Sequence, residues 1–446
     1  GDSSMVGKDV ACVSNHLRGD AGTTFILTIQ RPSVNKKMKF KITRRSIQLP
    51  AVPYYGVQDG GVGYLNLNSF TTGCAKDVRR AFLDMKKQGM TSLVFDLRNN
   101  GGGSLQEAVN IVNMFVPKGI TLVKTVGKME RANKEYKTTV EPIDTVMPIV
   151  VLVNDETASA SEITSGSLQD LDRAVVLGTR TYGKGLVQVS MDLPYNGNLK
   201  LTSSKYYIPS GRCIQAINYK HANGGYTEHV PDSLTHVFHT ANGREVRDGG
   251  GIKPDVEVRP DSLPNIAFYL ASSGRDSTEV MWNWELQYLK KHPTIGPAKT
   301  FVISDADFED FKQAVLKSGF KYDRESKKYL ENLVKLAKFE GYYDDAKGEF
   351  DALEKKLNHN LAKDLDYNKQ TLKKVLTSDL VSAYYYQKGS LENSLQFDKQ
   401  WKKAVEILKN PAEYKKLLQP VVGQPLVKLE PASNVAVDKK QKSKAK

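Results

Sequence analysis

The sequence predicts an α/β fold over its middle part, followed by an α-helical C-terminal domain. From about residue 54 to 258, short apolar runs such as "SLVFDL" and "IVVLV" alternate with amphipathic helical patterns such as "LQEAVNIVNMFV". This alternation is typical of an α/β layer whose strands are largely parallel. From about residue 262 the chain becomes rich in Lys and Glu, and its apolar residues recur at helical spacing, which predicts helices.

The first 50 residues predict a helix and two strands. Val10, Val13 and Leu17 recur at helical spacing, and the glycines of "LRGDAG" end that helix. "TTFILTIQRP" and "MKFKITRRSIQLP" then predict two strands joined by a polar turn. The segment therefore has the pattern of half a small α+β module. Because "GDSSMVGKDV" reads as the middle of a domain, we expect the native protein to begin before it.

Within the middle region the predicted elements follow one another closely. "VGYLNLNSF" predicts a strand, "AKDVRRAFLDMKKQG" a helix, "ASEITSGSLQDL" a further helix and "AVVLG" a strand. After residue 186 the pattern becomes all-β, with strands in "LVQVSMDL", "LKLTSSKYYI" and "GIKPDVEV". In the C-terminal part, Ser304 and Gly319 bracket one helix, and further helices are predicted at about 325–340, 343–365, 370–387 and 396–417.

Composition excludes several classes of protein. The 446 residues are 40% hydrophobic and 26% charged, which is typical of a globular chain of two or three domains. The longest apolar runs are far shorter than the ~20 residues of a membrane span, so we expect no transmembrane helix. Three widely separated cysteines predict neither a metal cluster nor a disulfide framework.

The net charge of +14 raises the possibility of nucleic-acid binding. The excess charge is scattered, however, and part of it lies in the terminal "DKKQKSKAK", for which we predict a basic disordered tail. No zinc-finger spacing or aromatic-basic signature accompanies this charge, so a solvated surface is the favoured interpretation.

Two serines lie where the buried strand "IVVLV" turns into a helix. Ser159 and Glu162 fit the S-x-x-E capping box, so a plain helix cap is one interpretation. The other is a nucleophile, because a serine at this position lies at the carboxyl edge of a parallel sheet, where α/β proteins bind ligands. Helix-terminal N–H groups beside it would stabilise an oxyanion. By local pattern alone, Ser159 and Ser161 remain alternatives.

A nucleophilic serine needs a base, and lysine is the candidate here. None of the seven histidines lies in the motif-dense part of the α/β region, and G-x-S-x-G is absent. "RTYGKGLVQ" supplies Lys184 between two glycines that permit close backbone approach. A solvated lysine in a turn is the alternative. As a base, Lys184 would need a largely apolar setting that keeps its amine neutral.

The ordered segments "GYLNLNSF", "LVFDLRNNGGGS", "NDETASASEITSGSLQD" and "GTRTYGKGLVQ" resemble the C-terminal processing peptidases of the S41 serine peptidase family. "YYIPSGRCIQ" and "GGGIKPDVEV" match later strands of that family. The resemblance implies a layered α/β catalytic core of the crotonase/ClpP type at 51–260, preceded by a partial PDZ domain at 1–50. A helical domain at 261–425 and the basic tail at 426–446 complete the predicted organisation.

The resemblance also implies roles for individual residues. In this family the nucleophilic serine and the lysine base lie 25 residues apart, as Ser159 and Lys184 do, which selects Ser159 over Ser161. Gln188 corresponds to the glutamine that orients the lysine. The oxyanion hole would use the backbone N–H groups of Ala160 and Gly103, with Gly102 as the alternate. Supporting roles, structural and not proton-transferring, fall to Asp170, Glu162, Asp96 and Arg98.

These features predict a serine endopeptidase that cleaves exposed, poorly folded C-terminal segments of proteins through an acyl-enzyme. Neither a metal nor another cofactor is implied, and the expected partners are protein or peptide substrates, with self-association through the helical domain as a further hypothesis. Family resemblance alone suggests the bacterial periplasm or cell envelope. The alternatives are a catalytically silent peptide-binding scaffold and a nucleic-acid or anionic-surface binder that acts through the basic tail.

Overall fold

A computed structural model describes residues 3–31, 34, 36–47, 49–216, 232–272, 278–357 and 360–420. The chain divides into two compact units. One contains residues 1–50 and 263–393, and the other contains residues 51–262 and 394–446. The predicted basic tail lies outside the described residues.

The first 50 residues form the predicted helix and hairpin. Helix α1 (Val10–Leu17) begins at Asp9, whose carboxylate accepts the N–H of Cys12 at 2.6 Å. Strands β1 (Thr24–Gln30) and β2 (Lys37–Thr43) pair antiparallel, with Leu27 opposite Phe40. The prediction of one helix and two strands is confirmed. The assignment of residues 1–50 to a partial PDZ domain stays a prediction.

The second unit is built on a six-stranded sheet with α-helices and a smaller antiparallel sheet. In chain order its elements are β3 (Tyr54–Gln58), β4 (Val62–Asn66), α2 (Cys74–Lys87), β5 (Ser92–Asp96), α3 (Leu105–Val112), β6 (Thr121–Gly127), β7 (Lys134–Lys137), β8 (Ile149–Val153), α4 (Ala160–Asp170), β9 (Val175–Gly178), β10 (Leu186–Leu193), β11 (Gly197–Tyr207), β12 (Val237–His239), β13 (Glu245–Arg247) and β14 (Val256–Glu257).

The large sheet has the order β14-β9-β8-β5-β4-β3, and only β3 runs antiparallel to its neighbour. The predicted parallel α/β layer is therefore confirmed. The antiparallel sheet has the order β10-β11-β6-β7. The strand predicted in "GIKPDVEV" is shorter than expected, because only Val256 and Glu257 pair, with β9.

Both faces of the large sheet are buried. Phe95 and Val151 belong to the core that includes residues of α2, α3 and α4, while Val94 and Leu152, which point to the opposite face, are also fully buried. Parallel strands with two apolar faces need cover on each side. Two helices late in the chain supply that cover: α12 (Lys399–Lys409) packs against β5, β8 and β9, and α13 (Pro411–Leu417) follows it.

The predicted helical domain at 261–425 is consequently divided, because its last two helices belong to the unit that contains the large sheet. Its other helices are α5 (Asn265–Ala271), α6 (Val280–Lys291), α7 (Asp305–Ser318), α8 (Glu325–Glu340), α9 (Lys347–Lys356), α10 (Leu361–Tyr367) and α11 (Lys369–Ser394), the last with a break at Tyr386. The single helix predicted at 343–365 is in fact two, α9 and α10. Helix α7 starts and ends as predicted: the hydroxyl of Ser304 accepts the N–H of Asp307, and Gly319 adopts a φ of 79°.

Helix α6 carries a buried carboxyl group that destabilises its unit at neutral pH. The side chain of Glu285 is 8% exposed, and burial, followed by the adjacent Asp379, raises its pKa from 4.5 to about 8. A carboxyl whose pKa is raised on folding binds its proton more tightly in the folded state. The contribution of Glu285 to stability is therefore greatest below 4.5, the pKa of its carboxyl in the unfolded chain, and it falls as pH rises towards 8.

We expect Glu285→Gln to reduce this loss, because the amide does not titrate. Between pH 5 and 8 the thermal midpoint of the wild-type unit should fall further than that of the variant, by roughly 4–8 °C. Differential scanning calorimetry of the full chain measures both midpoints. Glu331→Gln, at an exposed carboxyl of α8 that pairs with Lys327, is the matched control and should behave as wild type. Equal pH dependence in wild type and Glu285→Gln would contradict the prediction.

Candidate active site

Three neighbouring parallel strands bring the predicted site segments together. Strand β5 leads into the glycine loop, which we define as residues 97–103, β8 leads towards Ser159, and β9 leads towards Lys184. Since β5 pairs with β8 and β8 with β9, the carboxyl ends of all three lie at one edge of the sheet. This is the edge at which open α/β sheets bind ligands.

Ser159 has a strained backbone at the start of α4. Its φ of 58° and ψ of −117° lie in a region that L-residues rarely adopt, and such strain clusters at active sites. Gly102 lies close to the backbone just before Ser159: a Cβ at position 102 would lie 2.6 Å from the carbonyl oxygen of Ala158. Close contact between the glycine loop and the serine turn thus requires glycine at position 102.

The structure distinguishes the two serines. Ser161 is fully buried, and its hydroxyl donates to the carbonyl oxygen of Asn100 at 2.8 Å. Ser159 is only partly buried and lines a cavity of about 490 Å³. A nucleophile must be reachable by substrate, so only Ser159 is suitably placed.

Glu162 joins the serine turn to the lysine turn. One oxygen of its carboxylate accepts the backbone N–H of Ser159 at 2.9 Å and that of Lys184 at 2.8 Å. The other accepts the N–H of Gly183 at 2.7 Å and the hydroxyl of Thr181 at 2.6 Å. Burial raises the pKa of Glu162, although these four donors act in the opposite direction. One carboxylate therefore holds the backbones of both predicted catalytic residues.

Lys184 lines the same cavity as Ser159. Tyr206 also fixes its backbone, because the phenol donates to the carbonyl oxygen of Lys184 at 2.7 Å and contacts that of Ser159 at 3.3 Å. Within the described residues no hydrogen bond joins the Lys184 amine to the Ser159 hydroxyl, and the amine has no carboxylate partner. Gln188 lines the cavity next to a bulge between Val187 and Gln188 in β10.

Two backbone N–H groups are available beside Ser159. Phe70 and Gly103 form an isolated parallel bridge in which Phe70 donates to Gly102 and Ser104 donates to Phe70. The N–H of Gly102 is occupied by the side-chain oxygen of Asn100 at 2.9 Å. In the part of the chain that the structure describes, neither Gly103 nor Ala160 uses its N–H in a hydrogen bond. Of the two alternatives, Gly103 therefore has the free donor and Gly102 does not.

Two further predicted residues, Asp96 and Arg98, stabilise the start of the glycine loop. Asp96 accepts the phenol of Tyr64 at 2.6 Å, and it binds the Arg98 side chain through Nε at 2.9 Å and through Nη2 at 2.5 Å. Asn99, next along the loop, adopts a φ of 59° and exchanges hydrogen bonds with Asn154. The start of the glycine loop is thereby tied to the segment that leads to Ser159.

Asp170 lies at the other end of α4, far along the helix from Ser159. Its carboxylate accepts Nη2 of Arg212 at 2.8 Å and the N–H of Ser210 at 3.0 Å, and both charged side chains are almost fully buried. This arrangement fits a supporting role for Asp170. Sequence reasoning missed Arg212, as well as Thr181 and Tyr206, although all three lie within or beside the quoted motifs.

No group of three or more His, Cys, Asp or Glu side chains in the described ranges could hold a metal ion. None of the helices placed by the structure is long and apolar enough to span a bilayer.

The model of peptidase family S41 matches residues 61–221, which include all the site segments described above. The chain therefore contains a peptidase family S41 domain. Residues 269–408 match a second family model, described as "Probable PDZ-protease, C-terminal helical domain". The S41 domain thus carries the cavity, while the second match extends as far as α12.

Named proteins similar to the chain come from several bacteria. A protein of Bartonella bacilliformis called "Carboxy-terminal-processing protease" is 40% identical over 207 residues, which cover 46% of this chain and 47% of that protein. A "Probable CtpA-like serine protease" of Staphylococcus aureus is 31% identical over 74% of this chain and 55% of its own length. The chain thus spans about half the length of the curated relatives that it matches.

Among solved structures, a "Photosystem II D1 C-terminal processing protease" is 28% identical and covers 58% of this chain and 61% of its own. The TM-score of that match is 0.37.

Proposed function

We propose that the protein is a serine endopeptidase that cleaves exposed, poorly folded C-terminal segments of other proteins, with Ser159 as nucleophile and Lys184 as general base. The observation that carries this proposal is the Glu162 carboxylate, which binds the backbone N–H groups of both residues. The backbones of the proposed nucleophile and base are thus bound to the same carboxylate, and both residues line one cavity. The names of the relatives support this proposal, because one is called a carboxy-terminal-processing protease and another a probable CtpA-like serine protease.

The reaction begins when Oγ of Ser159 attacks the scissile carbonyl carbon and the Lys184 amine, as general base, takes the hydroxyl proton. Charge develops on the carbonyl oxygen, and the free N–H groups of Gly103 and Ala160 stabilise it. The C–N bond then breaks, and the Lys184 ammonium returns the proton to the leaving amine. The acyl-enzyme remains. Water attacks the ester with Lys184 again as base, which releases the acid and restores Ser159.

Lys184 must approach Ser159 for this step. Proton transfer needs the two heavy atoms within about 2.6–3.2 Å, and catalytic hydrogen bonds are often longer without substrate. The Glu162 and Tyr206 contacts hold only the Lys184 backbone, so its side chain is free to turn towards Oγ. Gln188 lines the same cavity and would orient the amine there.

Other parts of the proposal rest on resemblance. Residues 1–50 would be part of a PDZ domain, and the protein would act in the periplasm or cell envelope of a bacterium. The helical segment would serve docking or self-association.

The test is covalent labelling of Ser159. A phosphonylating probe specific for activated serines should modify the wild-type chain once, and tryptic mass spectrometry should map the adduct to Ser159. Ser159→Ala should abolish both labelling and cleavage of an unfolded reporter protein, a loss of roughly 10³-fold or more.

Ser161→Ala is the matched control, because it removes the neighbouring hydroxyl but leaves the proposed nucleophile. It should still be labelled at Ser159. A catalytically silent scaffold would give no labelling in the wild type and equal reporter cleavage, at background level, in all three chains. Labelling at Ser161 would transfer the nucleophile to that residue.

A further inference from the structure

Arg98 at the start of the glycine loop has two partners that come from the far end of the chain. After Asp96 has bound Nε and Nη2, the guanidinium still reaches Asp398 through Nη2 at 2.7 Å and Gln400 through Nη1 at 2.8 Å. The Arg98 and Asp398 side chains are 18% and 15% exposed, so this contact is largely shielded from water. Charge-assisted hydrogen bonds in such surroundings fix geometry strongly.

Helix α12, which carries Asp398 as its cap, is anchored without Arg98. The second carboxylate oxygen of Asp398 accepts the N–H groups of Gln400 and Trp401 at 2.8 and 3.0 Å. The Gln400 amide donates to the carbonyl oxygen of Val258 at 2.6 Å, and the Trp401 ring meets Tyr64 edge-on at 5.5 Å. The start of α12 therefore offers Arg98 a fixed acceptor site.

Helix α13 also contacts the strand that leads to the nucleophile. The Tyr414 hydroxyl accepts the N–H of Ile149 at 3.0 Å and donates to the carbonyl oxygen of the same residue at 3.1 Å. Ile149 is the first residue of β8, which leads to Ser159. Helices α12 and α13 thus both bind elements that support the site: α12 contacts Arg98 in the glycine loop, and α13 contacts the start of β8.

We infer that Asp398 and Gln400 are positioning residues for the proposed peptidase reaction, and that α12 holds the glycine loop through Arg98. This inference rests on the proposed function. Arg98 precedes Asn99 in the chain. The contacts of its side chain therefore hold the backbone at the start of the glycine loop, which ends at the free N–H of Gly103. An oxyanion donor displaced by about 1 Å costs of the order of 100-fold in rate.

The decisive variant is Asp398→Asn. Asparagine caps helices about as well as aspartate, so α12 keeps its start, whereas the charge that binds Arg98 is lost. We expect kcat for an unfolded reporter to fall at least about tenfold, with KM within about twofold. Hydrogen–deuterium exchange in the peptide covering residues 98–104 should become about tenfold faster, since Asn99, Gly102 and Ser104 there donate hydrogen bonds.

A second change offers a rescue. In Asp398→Asn/Gln400→Glu, the new carboxylate lies where Nη1 of Arg98 already donates, but the amide contact with the Val258 carbonyl oxygen is lost. We therefore expect both kcat and loop exchange to return part of the way to wild type. Lys399→Gln is the matched control: it lies between the two residues, but its side chain pairs with Asp261 at the surface. It should leave both readouts unchanged.

Loop exchange at the wild-type rate in Asp398→Asn would overturn the inference. So would an equal increase in exchange throughout the large sheet, because that pattern shows general loss of stability. If the wild-type chain cleaves nothing, the proposed function fails, but the exchange measurements still decide whether α12 holds the loop.

Discussion

The Glu162→Gln variant is expected to lose at least about 100-fold in kcat/KM on an unfolded reporter. The Glu162 carboxylate accepts four hydrogen bonds, from three backbone N–H groups and the Thr181 hydroxyl. An amide of the same shape presents one oxygen and one NH₂ group, so donors would face donors on one side. The turns that carry Ser159 and Lys184 must then move apart or leave buried donors unpaired.

The measurement is the rate of reporter cleavage together with the rate of probe labelling at Ser159, both of which should fall. Ser165→Ala is the control on the same helix. Among the described residues, the buried Ser165 hydroxyl bonds only to the carbonyl oxygen of Ser161, one turn earlier. That variant should keep most of its activity. Wild-type labelling in Glu162→Gln would show that the carboxylate is not needed to hold the two turns.

Asp170→Asn is expected to destabilise the unit that contains the large sheet by about 3–5 kcal/mol. Asp170 and Arg212 are 0% and 1% exposed, so removal of the carboxylate charge leaves a buried guanidinium without its counter-charge. Urea unfolding of the full chain, followed by circular dichroism, gives the change in free energy of unfolding.

The exposed pair of Asp77 and Arg80 on α2 provides the comparison. Asp77→Asn should cost less than about 1 kcal/mol, since water replaces the lost contact. The double variant Asp170→Leu/Arg212→Met should recover part of the loss, because neither buried charge remains. If Asp170→Asn and Asp77→Asn lose the same small amount, the Asp170 pair contributes little to stability.

Local sequence patterns were sufficient for much of this fold. Strand β10 covers the same residues as the predicted "LVQVSMDL", and α8 the same residues as the predicted 325–340, because strand alternation and helical spacing are set by residues that lie close together in the chain. Helix α7 was predicted to its caps, since Ser304 and Gly319 act through neighbours three or four residues away.

Patterns failed where partners are distant in the chain. The segment at 396–417 was predicted as one helix and forms two, α12 and α13. Nothing in its own spacing shows that it covers the sheet whose strand β5 leads into the glycine loop. Asp398 caps α12, and its second carboxylate oxygen binds Arg98, which lies 300 positions earlier in the chain. Arg212 lies within the quoted segment "YYIPSGRCIQ", but nothing in that segment shows that its side chain is buried against Asp170.

By itself, the sequence determined the elements that lead into the site, namely β5, β8, α4 and β9, and its local patterns narrowed the proposed nucleophile to two serines at one turn. Such features depend on neighbours within a few residues. Only the tertiary structure decided that Ser161 is occupied by Asn100, that Gly103 and not Gly102 has a free N–H, and that one carboxylate joins the turns of Ser159 and Lys184. The physical reason is that each of these contacts joins separate loops at one sheet edge, where strand order, and not spacing along the chain, sets distance.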